Sequence, residues 1–169
     1  HFNDWMAWEL FCKRTYGIGP NEMSENHFFL YIIPKVIQLH GYGDPLLDKN
    51  LADYVGIINH KSLFSYFSCN PANINLEKTF KMLDKGLDYI KYSIESVDDD
   101  MQKQVRGDHT RFLNTYEKIE RVLEVIEQNH YRTKVVITML NLNRKDQRED
   151  YAKLVKAFEG TGVYIYLKS

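Results

Sequence analysis

Four short stretches of this sequence place small polar, amide and charged side chains directly behind hydrophobic runs. They are Gly41-Tyr42-Gly43-Asp44-Pro45, Ser68-Cys69-Asn70-Pro71, Lys91-Tyr92-Ser93-Ile94-Glu95-Ser96 with Arg106-Gly107 behind it, and Met139-Leu140-Asn141. The first is a glycine-bracketed turn with a carboxylate. Pro45 favours extended backbone at Asp44, so the carbonyls of this turn can face an amine. Ser93, Glu95 and Arg106 add a hydroxyl, a carboxylate and a guanidinium, and a guanidinium matches a ligand carboxylate in bidentate fashion. The combined chemistry is recognition of a ligand that carries hydroxyls, an amine and a carboxylate. Two nucleotide signatures are excluded. Leu46 stands where a dinucleotide fingerprint needs its last glycine, and the Gly-Lys-Ser/Thr ending of a phosphate-binding loop is missing. One glycine turn alone is an ordinary strand-to-helix connection. Its recurrence with polar groups at successive strand ends argues for a site.

The elements that must hold these residues alternate from Lys35 onward. Short β-branched or aromatic runs read as strands, and the longer charged segments between them carry helical spacing. Strands are expected at Val36–Leu39, Ser62–Ser68, Leu87–Ile94, Lys134–Leu140 and from Val163 onward. Helices are expected at Asp48–Asn59, Leu76–Lys85 with Asn75 as N-cap, Asp98–Gln104, Thr110–Gln128 and from Asp146 to Phe158, with a break at Gly107-Asp108. Helical crossovers of this length join parallel strands. The class is α/β, and five strand–helix units in series suit a partial (β/α) barrel, with an open doubly wound sheet as the competitor. In a barrel the strand ends form one rim, and that rim is where ligands bind. Residues 1–34 read as a separate aromatic-rich segment with a helix from Ser24, and residues 35–169 as the barrel core. Trp5, Trp8 and Phe11 have the spacing of a helical core stripe.

In this order and spacing the motifs resemble the core of a radical S-adenosylmethionine (radical SAM) enzyme. Gly41-Tyr42-Gly43-Asp44-Pro45-Leu46-Leu47 is similar to the family's Gly-Gly-Glu-Pro-Leu-Leu turn. Phe67-Ser68-Cys69-Asn70 sits where Thr-Thr-Asn-Gly is common. Gly86-Leu87-Asp88-Tyr89-Ile90-Lys91-Tyr92-Ser93-Ile94-Glu95 resembles Gly-Leu-Asp-x-Ile-x-x-Ser-Ile-Asp, and Arg106-Gly107 matches the Arg-Gly behind it. The resemblance runs from about Met23 to Ser169 and is closest in flavour to the branch with a SPASM or twitch extension. It implies an oxidoreductase-type chemistry in which S-adenosylmethionine is cleaved reductively to a 5′-deoxyadenosyl radical, which takes a hydrogen atom from a peptide or small-molecule substrate.

The resemblance also implies roles. Gly41, Tyr42, Gly43, Asp44 and Pro45 would hold the methionyl amine, and Ser93 and Arg106 its carboxylate. Ser68 and Asn70 would border the cofactor, and Glu95 would join its ribose or a polar network. Val136, Ile137 and Met139 would pack near adenine, with Tyr164 and Ile165 on the last strand. Two departures are Asp44 in place of glutamate and Tyr42 in place of glycine. A third is the missing Cys-x3-Cys-x2-Cys triplet that ligates the family's 4Fe–4S cluster through thiolates. Cys12 and Cys69 cannot supply it. The expectation is that its ligands lie upstream of His1 and that the chain stops where a sixth barrel strand would stand. An electron donor such as flavodoxin or ferredoxin is the implied partner.

Bulk composition agrees with a single core. The chain has 169 residues, 22 basic against 23 acidic, and a formal charge of −1. That balance gives no footprint for nucleic acid or an anionic membrane, and no apolar run is long enough to span one. Two cysteines make no disulfide framework, so the expected setting is the reduced cytoplasm. The six histidines are scattered without metal-ligand spacing. His40, beside the glycine turn, is the one to watch. Cys69 reads as a small buried residue, and Asp98-Asp99-Asp100 as acids favoured in a helix's first turn. Two other functions fit the same residues: a cluster-free binding module with a degenerate barrel, and an unrelated (β/α)-barrel lyase or aldolase with Lys91 or Asp44 as the catalytic group.

Overall fold

The computed structural model describes residues 36–106 and 111–168, with side chains described through residue 104 in the first stretch. The aromatic-rich first segment, its helix from Ser24, the Gly107-Asp108 break and the Arg106 side chain lie outside the described residues. The chain divides into two compact units, His1–Lys35 and Val36–Ser169, and the second carries the fold.

Five strands make one sheet: β1 Val36–Gln38, β2 Phe64–Cys69, β3 Tyr89–Ser93, β4 Lys134–Leu140 and β5 Tyr164–Lys168. Every neighbouring pair is parallel, and the spatial order is the chain order. A doubly wound sheet reverses its order at a switch point. This one never does, so it is a partial (β/α) barrel. Helices α1 Leu51–His60, α2 Leu76–Asp84, α3 Asp99–Arg106, α4 Phe112–Gln128 and α5 Gln147–Ala157 make the crossovers. Among the described residues no helix is long and apolar enough to cross a membrane.

Local sequence accounts for the element ends. Asn75 caps α2, its Oδ1 accepting from the Lys78 amide at 3.0 Å. Gly86 closes that helix at φ +87°, and a Cβ there would stand 2.6 Å from the Asn59 side-chain nitrogen, so both conformation and space call for glycine. Asp98 Oδ1 accepts from the Met101 amide at 2.9 Å, and Asp99 Oδ1 from the Phe112 amide at 2.7 Å. These acids serve helix starts. Asp146 departs from expectation: its backbone is helical and its side chain makes no capping bond. It faces Arg144 instead, at 3.3 Å.

The two faces of the sheet differ because successive strand residues point to opposite sides. Phe67, Ile90, Tyr92, Ile137 and Met139 point to the helices and form the core with Val55, Met82, Leu83, Ile119 and Leu154. The register aligns the other set, Ser68 with Lys91, Lys91 with Val136, Ser93 with Thr138 and Leu140 with Lys168, on the inner face. At the amino end of the strands, buried Asp88 accepts from the Ser65 amide (2.9 Å) and pairs with Arg132 (3.0 Å). That end is fastened, and the carboxyl end is left for chemistry.

Candidate functional site

The turn after β1 is held by its own carboxylate. Asp44 has extended backbone, with φ −91° and ψ 123°, as a residue before proline should. Its Oδ1 accepts from the Leu46 amide at 2.9 Å, and its Oδ2 accepts from the Asn70 amide at 2.6 Å. One side chain therefore shapes the short helical turn Pro45–Leu47 and straps it to the end of β2. Gly43 takes φ +87°, a conformation glycine adopts without strain. Asn70 repeats the device: its Oδ1 accepts from the Ala72 amide at 3.1 Å at the head of Pro71–Asn73.

Beside this turn lies an open cavity of about 550 Å³, lined by Gly41, Gly43, Asp44, Ser68, Asn70 and Ser93 together with His40, Lys91 and Lys168. A line of hydroxyls crosses three strands beneath it: Ser68 Oγ lies 3.4 Å from Ser93 Oγ, which lies 3.5 Å from Thr138 Oγ1. His40 Nδ1 accepts from the Ser68 amide at 3.0 Å, which puts the proton of the neutral ring on Nε2. Burial, then the charges of Lys91 and Lys168, hold the His40 pKa below its ordinary value. Burial and Lys168 lower Lys91 in the same way. A cavity of similar size, about 530 Å³, opens at the other end of the strands between α4 and the starts of β4 and β5. None of the sequence motifs reaches it, and parallel sheets take ligands at their carboxyl ends.

The structure gathers Gly41, Gly43, Asp44, Ser68, Asn70 and Ser93 around one cavity and places the other described candidates elsewhere. Pro45 is buried behind the turn, and the Tyr42 side chain stands fully in solvent. Glu95 is 3 % exposed, and its Oε2 accepts from the Leu140 amide at 3.1 Å, so it ties β3 to β4. Ile137 and Met139 are corrected: both are wholly buried in the helix-facing core, because the odd positions of β4 point outward. Val136, Thr138 and Leu140 face inward in their place. Ile165 packs against that same core. Tyr164 faces inward but opens β5, pairing with Val136 below the rim. The Arg106 side chain lies outside the described residues. Sequence reasoning passed over Thr138 and Lys168, and it counted Lys91 in the polar end of the third strand without giving it a cofactor role. The signal was available in strand parity: counting in twos from Ser93 reaches Lys91, and the register carries it to Thr138 and Lys168.

The described residues do not fit an iron–sulfur cluster. Among them no group of three or more His, Cys, Asp or Glu could hold a metal ion, and Cys69 is buried on the helix-facing side of β2.

A family model described as the Radical SAM superfamily matches residues 29–155. No curated protein matches the chain. Among solved structures, SuiB of Streptococcus suis is similar with a TM-score of 0.61 at 13% identity, covering 79% of this chain and 29% of its own, and it has also been seen bound to S-adenosylmethionine. TYW1 with a lysine-pyruvate adduct bound has a TM-score of 0.58 at 15% identity, covering 97% of this chain and 51% of its own. Coproporphyrinogen III oxidase (HemN) of Escherichia coli, described as a radical SAM enzyme, has a TM-score of 0.57 at 14% identity and covers 80% of this chain and 32% of its own. The chain thus spans between about a third and a half of the length of these structures. At such identities the likeness carries the fold.

Proposed function

The chain belongs to the radical SAM superfamily, and on that premise we propose that the rim cavity between the Gly41–Pro45 turn and Ser93 is its S-adenosylmethionine site. The observation that carries this reading is the coincidence of the family's turn with a built cavity: Asp44 fixes the turn, and the cavity opens on Gly41 and Gly43. The match to an unrelated lyase with Lys91 or Asp44 as its catalytic group loses its basis with the family established.

The residues divide the cofactor between them. Backbone carbonyls around Gly41 to Gly43 accept from the methionyl ammonium. Asp44 acts behind them, since both its oxygens already accept backbone amides; it is a positioning residue. Ser93, with Ser68 beside it, donates to the carboxylate, and Arg106 supplies the bidentate partner. Adenine meets Val136, Thr138 and Leu140, the inward members of β4. Held there and reductively cleaved, S-adenosylmethionine would supply the group that takes a hydrogen atom from a peptide or a small molecule, the electron coming from a donor such as flavodoxin or ferredoxin. A cluster needs thiolates beyond those of Cys12 and Cys69. A SPASM or twitch extension belongs to the same proposal.

Calorimetric titration of the full chain with S-adenosylmethionine tests it. One site is expected, and Arg106→Ala should weaken it by about tenfold or more, as loss of a charged hydrogen bond does. No heat of binding overturns the cavity assignment. Binding that Arg106→Ala leaves unchanged overturns the role of Arg106 alone.

A further inference from the structure

The five strands contain three lysines, Lys91, Lys134 and Lys168, and no acidic residue. All three lysines fall on the inner face: Tyr89 pairs with Lys134, two residues below the Lys91–Val136 pair, and Lys168 pairs with Leu140. Lys91 and Lys168 line the rim cavity together. Neither has an ion-pair partner among the described residues, and the one carboxylate at the cavity, Asp44, accepts two backbone amides. Among the described residues no counter-charge stands between these two cations, and an anion placed there relieves their repulsion. Burial, and after it the charge of Lys168, holds the Lys91 pKa below its ordinary value.

The floor beneath them is aromatic. Tyr66 and Tyr89 meet edge to face with ring centroids 6.0 Å apart, and Tyr66 meets His40 likewise at 5.4 Å. Tyr166 pairs in register with Thr138 on the same inner face, and its ring meets that of Tyr164 at 5.7 Å. Tyr66, Tyr89 and Tyr166 are each half-buried and point inward. Such rings offer a flat apolar surface with polar tips. Lys91 lies two residues toward the amino end of β3 from Ser93, about 7 Å deeper along the strand, on the barrel side of the cofactor site.

We propose that Lys91 and Lys168 form an anion clamp over a shelf of Tyr66, Tyr89 and Tyr166, and that the substrate of this protein has an anionic head, carboxylate or phosphate, on a flat apolar body. This deepens the cofactor reading and rests on it only for calling the occupant a substrate. The clamp holds the anion by charge-assisted hydrogen bonds from the two ammonium groups, and the rings take the body, so the head fixes which part of the substrate faces the rim.

The test uses the full chain with saturating S-adenosylmethionine and three probes followed by ligand-observed NMR: benzoate, phenyl phosphate and neutral benzamide. At least one anionic probe should bind, with benzamide at least tenfold weaker. Lys91→Met and Lys168→Met should each weaken the anionic probe by about tenfold, the loss expected for a charged hydrogen bond. Lys91→Arg should keep it within about threefold, since the charge remains. Circular dichroism confirms that each is folded, and Lys91→Arg reads the charge even where Lys91→Met does not fold. Equal binding of benzoate and benzamide, or anion binding indifferent to both lysines, overturns the clamp. A drop in cofactor affinity with the anionic probes unaffected also overturns it, because the lysines then serve the cofactor's own carboxylate. If the wild-type chain takes no S-adenosylmethionine, the cofactor reading fails by itself, and the same titrations without cofactor still decide the clamp.

Discussion

The two faces of one sheet are built from alternate residues of the same strands, yet they obey different rules. Toward the helices stand Phe67, Ile90, Ile137 and Met139, all wholly buried. Toward the inside stand Ser68, Lys91 and Ser93, polar groups around a cavity, with buried Thr138 beside Ser93. The outer face is governed by area removed from water, which is non-directional. The inner face carries hydroxyls and cations whose value depends on what comes to meet them. A hydrophobic residue near a predicted site is therefore as much a fold residue as its neighbours, and parity along the strand decides which it is.

The sharpest way to break this contrast is on the outer face. Met139→Ala removes a wholly buried side chain and should cost about 2–5 kcal/mol of stability by denaturant unfolding, while the folded variant keeps its affinity for S-adenosylmethionine. A selective loss of cofactor affinity at full stability would return Met139 to the site. Next comes Asp44, which belongs to both sides of the contrast. Asp44→Ala strands two backbone amides and should cost about 1–3 kcal/mol, with cofactor binding lost alongside; Asp44→Asn keeps one acceptor oxygen and should recover part of both. If stability is untouched while binding collapses, Asp44 contacts the ligand itself. Ser93→Ala should do the reverse of Met139→Ala, with affinity down by about 0.5–1.5 kcal/mol and unfolding unmoved. An unchanged dissociation constant would remove Ser93 from the site.

The smallest effect is a slope. His40 accepts the Ser68 amide through Nδ1, and a protonated ring cannot accept there. Burial, Lys91 and Lys168 hold its folded pKa below the ordinary value of 6.5. The unfolded chain therefore binds the proton first, and stability rises with pH wherever it does. This contribution is fully present above about pH 6.5 and is lost as pH falls through the lowered folded value. Thermal midpoints measured across that window should decline with acid in the wild type and decline less in His40→Asn, which retains an acceptor that does not titrate. Parallel profiles would show that His40 contributes nothing to the slope.

Much of this was legible in the linear chain. Lys134–Leu140 folds as a strand with the bounds its residue types predict, and Asn75 and Gly86 bracket α2 as capping chemistry requires. Glycine before Asp44-Pro45 announced the turn. The failures share one cause. Ile137 and Met139 are assigned by position along the chain, and position alone does not say which way a side chain points. Asp146 was read as a cap because its residue type suits one, but Arg144 offered it a charged partner.

The sequence by itself determined the class of fold, the order of its strands and helices, and the family, because those follow from local periodicity, turn chemistry and a run of motifs in series. Tertiary structure alone decided the rest. Register placed Lys91, Lys168, Ser68 and Ser93 at one cavity, although 100 residues separate Ser68 from Lys168. It also turned Asp44 inward upon two amides and buried Glu95 between strands. The physical reason is that a parallel crossover brings distant strands side by side with a fixed parity, and parity and register exist only once the strands have paired.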